Sequence, residues 1–272
     1  MDFTKMHGNG NDFILIEDLD NIIKDDISLA RTLCHRNFSI GADGILLVRK
    51  SKIADIKMVI INSDGSIASM CGNGIRCFAK YIWEKGLIKA NSIKIETGDG
   101  IKIADLNIIE NEVTEVTINM GKALFNPTYI KSTSSTEIID KKVIINNRQY
   151  NITSLFMGVP HTIIFGKLKE YKIEEGLYIE KYHLFIQGTN VNFCEIINKN
   201  KILVKTWERG AGATLACGTG SCAAVVAGNK LGLLDCFVRV EVPGGILDVE
   251  ISNSGVMMTG PAVVSFHGEC II

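Results

Sequence analysis

The feature that most constrains this chain is a loop that occurs twice. Met70-Cys71-Gly72-Asn73-Gly74-Ile75-Arg76-Cys77-Phe78 and Ala216-Cys217-Gly218-Thr219-Gly220-Ser221-Cys222-Ala223 each run cysteine, glycine, any residue, glycine, then into an apolar segment, and 146 positions separate Cys71 from Cys217. Lys85-Gly86-Leu87-Ile88 and Leu231-Gly232-Leu233-Leu234 keep the same offset, and Thr97-Gly98-Asp99-Gly100-Ile101 faces Val242-Pro243-Gly244-Gly245-Ile246 at 145. A register held within one residue over about thirty positions signals internal duplication, and a period this long means two similar domains, not a solenoid.

The loop has its own chemistry. Glycines at Gly218 and Gly220 let the backbone turn closely enough to present its N–H groups, and the helix that follows places about half a positive charge at its start. Such a place holds an anion. A cysteine there is expected to have a lowered pKa, roughly 3.5–7.5 instead of about 8.5, so that thiolate is available at neutral pH. After Cys71, the residues Ile75, Phe78, Ala79 and Ile82 fall on one helical face. After Cys217, the run from Cys222 to Ala227 is apolar on nearly every face, which predicts a helix buried all round.

The charge balance is 29 basic to 30 acidic residues, formally −1, and leaves no electrostatic footprint for nucleic acid or an anionic membrane. The start of the chain lacks the regions of a signal peptide, and no apolar run approaches the roughly twenty residues of a spanning helix. The reading is a soluble, cytoplasmic protein with small-molecule partners. Of the eight cysteines, Cys34, Cys194 and Cys236 read as buried small hydrophobes. A zinc site built from Cys71, Cys77, Cys217 and Cys222 is disfavoured because the second cysteines fall at different places in the repeat, so no metal is expected.

Along the chain, Phe3–Glu17 reads as strand, glycine loop, strand around His7-Gly8-Asn9-Gly10-Asn11-Asp12, and Asp25–His35 has helical spacing. Strands are expected at 45–48 and 58–61, then at 93–97, 100–106 and 113–120 in a meander, so the sheets should be largely antiparallel. Pro127–Glu137, polar and rich in Ser and Thr, reads as a linker. The second half repeats the plan, with strands at 143–146 and 150–157, a turn at Gly158-Val159-Pro160-His161, strand 162–165, a helix near 174–180, and strands from Asn190 and over 202–207. The expected fold is α+β: two pseudo-symmetric domains, each a mixed, largely antiparallel sheet wrapped around a central helix, with an active site in the cleft between them.

Two activated thiols in a duplicated frame suit stereoinversion at a carbon acid. One thiolate removes an α-proton from one face and the opposite thiol delivers a proton to the other, while the helix N-termini stabilise charge on the α-carboxylate. No cofactor is called for. A dithiol redox pair is the reading from another class.

Met6-His7-Gly8-x-Gly10-Asn11-Asp12-Phe13, Cys71-Gly72-Asn73-Gly74-x-Arg76-Cys77 and Glu208-Arg209-Gly210-x-Gly212-x-Thr214-x-Ala216-Cys217-Gly218-Thr219-Gly220 together resemble the signatures of the diaminopimelate epimerase family, nearly end to end. Proline racemases share the fold and the two-thiol idea but not the first segment or the Glu-Arg pair. The resemblance implies cofactor-independent interconversion of LL- and meso-2,6-diaminoheptanedioate, a step of lysine and peptidoglycan synthesis, by a homodimer. It implies domains of 1–118 plus 262–272 and of 119–261, because the last strand of each half crosses to the other. Cys71 and Cys217 match its base and acid. Gly72, Asn73, Gly218 and Thr219 match its carboxylate cradle, and Asn11, Asn62, Asn190, Glu208 and Arg209 match the groups that hold substrate, with Arg209 gripping the distal end as a desolvated guanidinium. His161 and Glu208 match positions that tune the thiols. Read alone, His161 after a proline is a capped turn residue. Val159, Gly44 and Ala213 depart from the family pattern, standing where members carry asparagine, glutamine and glutamate.

Overall fold

In the computed structural model, which describes residues 1–271, the chain forms two compact units: Met1–Ile118 completed by the chain from Thr259 on, and Asn119–Met258. Ile272, the end of the expected 262–272 segment, lies outside the described residues.

The first unit begins with the hairpin β1 (Asp2–Gly8) and β2 (Asn11–Glu17), closed by Asn9 and Gly10 at φ 53° and 83°. Positive φ at both central residues matches the right-handed strand twist, which is why Asn-Gly closes hairpins. Helix α1 (Asp26–Leu33) is capped by Asp25, whose carboxylate accepts from the Ser28 N–H at 2.9 Å. Strand β3 (Gly44–Arg49) runs parallel to β2, and β4 (Ile56–Asn62) antiparallel to β3. The short β5 (Ile67–Ala68) leads to α2 (Gly72–Glu84), and β6 (Ser92–Thr97), parallel to β4, continues into a meander with β7 (Gly100–Ile109) and β8 (Glu112–Asn119).

Strand alternation decides what each face meets. Ile14, Ile16, Ile45, Leu47 and Ile61 pack on Leu29, Ala30 and Leu33 of α1, while Phe13 and Leu46 on the other face reach the first turn of α2. Helix α2 is buried from Gly72 to Trp83 and packs on β1, β2, β4 and β7.

The second unit contains β9 (Lys141–Ile145), β10 (Arg148–Met157), β11 (Val159–Phe165), α3 (Gly176–Glu180), β12 (Asn190–Asn198), β13 (Lys201–Glu208), β14 (Gly212–Thr214), α4 (Gly218–Lys230), β15 (Phe237–Val242), β16 (Gly245–Ser252) and the start of β17 (Gly255–Gly260), whose last two residues belong to the first unit. Its pairing repeats that of the first unit: hairpin β10–β11, parallel β11–β12, antiparallel β12–β13, parallel β13–β15, antiparallel β15–β16. Helix α4 is buried at Gly218 and from Gly220 to Gly228, and packs on β10 to β13 and β16. The sheets are therefore mixed, with parallel pairs where a helix intervenes. The final strand β18 (Val263–Glu269) returns to pair antiparallel with β1 in the first unit.

Three sequence expectations are corrected. Pro127–Glu137 is not a linker: within it Ile130 is fully buried, as is Ile138 just beyond, in one cluster with Tyr150, Ile152 and Phe193, so two isoleucines anchor an otherwise polar segment inside the second unit. The turn at Gly158-Val159-Pro160-His161 shrinks to Gly158, at φ 76°, because Val159 already pairs with Met157 in β11. Cys236 is exposed, where Cys34 and Cys194 are buried. No helix among the described residues is long and apolar enough to cross a membrane.

Candidate active site: a cysteine at each helix mouth

Cys71 is the N-cap of α2, extended at φ −141° and ψ 121°, and its sulfur accepts from the Gly74 N–H at 3.5 Å. Gly72 and Asn73, both buried, form the first turn beside it. Asn11, opening β2, places its Oδ1 3.5 Å from Cys71 Sγ and 3.3 Å from Asn73 Nδ2. Asn62 ends β4, where its Nδ2 donates to Ser66 Oγ at 2.9 Å. Across the three strands, Phe13, Gly44 and Asn62 stand in one row.

An ionic cluster that the sequence reading missed holds Asn11. Asn11 Nδ2 donates to Asp43 Oδ2 at 2.7 Å, Arg36 bridges Asp43 and Asp12 at 2.7 and 2.8 Å, and Lys5 meets Asp12 at 2.7 Å. Burial opposes the charge on Asp12, yet hydrogen bonds from Arg36 and Lys5 hold its carboxyl well below the usual carboxylate range. The only hint in the sequence is a pair of aspartates inside glycine loops, a pattern that turns produce without any such network. Arg76 is also new. Fully buried on α2, it donates to Asn9 Oδ1 at 2.6 Å, Gly72 O at 3.0 Å and Pro261 O at 3.2 Å, tying the hairpin turn and the returning chain to the helix.

In the second unit Cys217 is the N-cap of α4, buried, with its sulfur 3.5 Å from Thr219 Oγ1. The Ser221 hydroxyl and N–H donate to the Cys217 carbonyl at 3.0 and 2.9 Å, fixing the first turn. The row equivalent to Phe13, Gly44 and Asn62 is His161, Asn190 and Glu208. Asn190 is anchored inside the unit by one donor and one acceptor: its Nδ2 donates to Pro160 O at 2.9 Å and its Oδ1 accepts the Arg209 N–H at 2.9 Å, leaving its second N–H and second lone pair for a ligand. Glu208 accepts from Thr214 Oγ1 at 2.7 Å across the β13–β14 hairpin. Arg209 is exposed and donates to Gln187 O at 2.8 Å, which corrects the expectation of a desolvated guanidinium. The arginine follows the last residue of β13 into a tight turn, so its side chain leaves the sheet.

His161 is a strand residue, not a turn cap, and is fully buried. Burial, aided by the charge of Arg209, pushes its pKa down to about 3. Its Nδ1 lies 3.2 Å from Asn192 Nδ2, and Asn192 Oδ1 accepts from Thr206 Oγ1 at 3.0 Å. Asn192 and Thr206 also escaped the sequence reading, since a lone polar residue in an apolar strand shows no period. Among the remaining cysteines, burial pushes Cys34 up to about 11 and Cys77 up to about 12, so Cys77 is an inert neighbour of Cys71 despite sharing its motif.

The sequence matches the diaminopimelate epimerase family over residues 3–125 and 153–265. Diaminopimelate epimerase of Clostridium perfringens is 59% identical over 263 residues, 96% of each chain, and that of Alkaliphilus metalliredigens is 46% identical over 96% of this chain and 94% of its own. The enzyme of Caldanaerobacter subterraneus is 44% identical over 99% of both. Among solved structures, a hydroxyproline epimerase of Agrobacterium vitis superposes with a TM-score of 0.71 at 14% identity, covering 98% of this chain and 90% of its own. A phenazine biosynthesis protein of the PhzF family from Bacillus anthracis gives 0.72 at 17% identity, over 100% and 99%. These two share the fold. The sequence identities, sustained along nearly the whole length, show that the chain belongs to the diaminopimelate epimerase family.

Proposed function

We propose that this protein is a cofactor-independent epimerase that interconverts LL- and meso-2,6-diaminoheptanedioate, acting in the cytoplasm as a homodimer and serving lysine and peptidoglycan precursor synthesis. The observation that carries the reading is the repeated cysteine N-cap: in each unit a thiol stands at the start of a buried helix, beside backbone N–H groups that have no partner within their own helix.

The chemistry follows from that placement. One cysteine, as thiolate, takes the α-proton onto sulfur. The electron pair left on carbon spreads into the adjacent carboxylate, held by the N–H groups of Gly72 and Asn73 or of Gly218 and Thr219. The other cysteine, as thiol, returns a proton to the opposite face, and the configuration inverts with no net change in protons. This requires a thiol from each unit to reach one substrate carbon. Asn11, Asn62, Glu208 and Arg209 hold the remaining amino and carboxylate groups, with Asn190 setting the backbone from which Arg209 projects. His161 and Glu208 adjust the thiols. Because Arg209 is exposed, its pairing with a distal carboxylate contributes through geometry more than through desolvation.

The test is a chirality assay of LL-diaminopimelate beside L-proline without added pyridoxal phosphate. Interconversion of the diaminopimelate stereoisomers with no proline racemisation is expected. Comparable turnover of proline, or turnover of a dithiol in place of isomerisation, overturns the reading.

A further inference from the structure

His161 carries more information than its burial. Asn192 Nδ2 faces the Thr162 carbonyl at 3.5 Å, an acceptor that fixes which end of the amide is the NH2, and the Thr206 hydroxyl donates to Asn192 Oδ1 at 3.0 Å. A carbonyl oxygen can only accept, which leaves the NH2 end of Asn192 to meet His161 Nδ1 at 3.2 Å. Nδ1 is then an acceptor, and the proton of the neutral ring resides on Nε2. Among the described residues, Nε2 finds no hydrogen-bond partner although the residue is fully buried.

The first unit shows that this polar group is not needed to seat the helix. Register across the strands makes Phe13, Leu46 and Ile60 the equivalents of His161, Asn192 and Thr206. In the first unit Phe13 and Leu46 form an apolar floor under Gly74 of α2, whereas in the second the Asn192 amide oxygen lies under Gly220 of α4. All six residues are buried. The same architecture thus stands on an apolar floor in one unit and on a histidine, amide and hydroxyl chain in the other. A buried N–H without a protein acceptor is uncommon and calls for a reason, such as a catalytic role, an ordered water or an ion, and this one belongs to the unit whose cysteine helix stands on a polar floor.

We propose that Asn192 is a positioning residue that locks His161 in the Nε2–H tautomer, making the buried ring a hydrogen-bond donor, not a base, toward an anionic acceptor, carboxylate or thiolate, that arrives during turnover. The part played in turnover rests on the epimerase reading; the tautomer does not.

Nitrogen-15 NMR of the full-length protein labelled at histidine tests it. The signal of His161 is the one that persists when His7, His35, His183 and His267 are each replaced by glutamine in turn. Between pH 6 and 8 it should show a protonated Nε2 and an unprotonated Nδ1. Asn192→Asp, whose carboxylate accepts, should move the proton to Nδ1 and lower kcat by about a hundredfold with KM nearly unchanged. If that variant does not fold, Thr206→Val, which frees the amide to turn, should give a mixture of tautomers. Adding meso-diaminopimelate should move the Nε2–H proton downfield. A shift that survives in Cys71→Ser and Cys217→Ser identifies the substrate carboxylate as acceptor, and a shift lost in either identifies a thiolate. A wild-type His161 protonated on Nδ1, an unchanged tautomer in Asn192→Asp, or an Nε2–H proton that substrate does not move overturns the proposal.

Discussion

Asp43 orients Asn11. Its Oδ2 accepts from Asn11 Nδ2 at 2.7 Å, which turns the other end of that amide, Oδ1, to within 3.5 Å of Cys71 Sγ. Without the carboxylate only the longer contact from Asn73 Nδ2, at 3.3 Å, still orients the amide, so its NH2 group turns to the sulfur more readily. Asp43→Ala should therefore lower kcat roughly ten- to a hundredfold. Urea unfolding on the same sample should show a loss of only about 1–2 kcal/mol, since the Asp43 side chain is part-exposed and Arg36 keeps Asp12. A variant as active as the parent would show that Asn11 does not need its clamp.

The two-thiol reading makes its own demand. In deuterated water, turnover should place deuterium at the α-carbon, and Cys71→Ser and Cys217→Ser should each lose nearly all epimerisation when assayed by the appearance of the second stereoisomer. Full activity in either single variant would remove the two-base mechanism.

The two helix mouths should respond differently to one added methyl. A Cβ at Gly220 would overlap Asn192 Oδ1, whereas one at Gly74 would meet Leu46 Cδ2 and Phe13 Cζ at 3.4 Å, an ordinary contact. Gly220→Ala should destabilise the protein by about 1–3 kcal/mol. Gly74→Ala should be neutral or stabilise by up to about 1 kcal/mol through helix propensity. Denaturant midpoints decide, and equal losses would refute the difference between the floors.

Acid stability should carry the mark of His161. Its folded pKa of about 3 lies below the ordinary 6.5, so between those values the unfolded chain binds a proton that the folded one does not. Stability is then lost as pH falls through that window, by about 1.4 kcal/mol for each pH unit, and is unaffected above it. His161→Gln removes this dependence. Unfolding free energies of parent and variant measured at pH 6.5, 5.5 and 4.5 should converge with acidification, and parallel curves would mean that the ring is not held neutral.

What could be read from the residues alone was local. Cysteine, glycine, any residue, glycine announces a thiol at a helix start because the turn, the cap and the helix that follows are made by neighbours in the chain. The duplication was legible for the same reason, as a repeated string. Strand and helix positions followed from period, and the Asn9-Gly10 turn from its φ requirement. Where composition alone guided the reading it failed: Pro127–Glu137 is polar, yet Ile130 and Ile138 bind its neighbourhood to the core, and Gly158 needed no help from Pro160 to reverse the chain.

The tertiary structure alone decided which side chains meet. Asp43 reaches Asn11 because β2 and β3 lie side by side, Arg76 reaches Asn9 and Pro261 because α2 lies against the hairpin and the returning chain, and Asn192 reaches His161 because β11 and β12 run parallel in one register. None of these pairs is close in sequence, and an isolated polar residue in a strand has no pattern of its own. The sequence by itself determined two thiols at two helix mouths, since the atoms involved are covalent neighbours. The unlike floors beneath them came from strand pairing over long separations, because burial and hydrogen-bond partnership are properties of the packed chain.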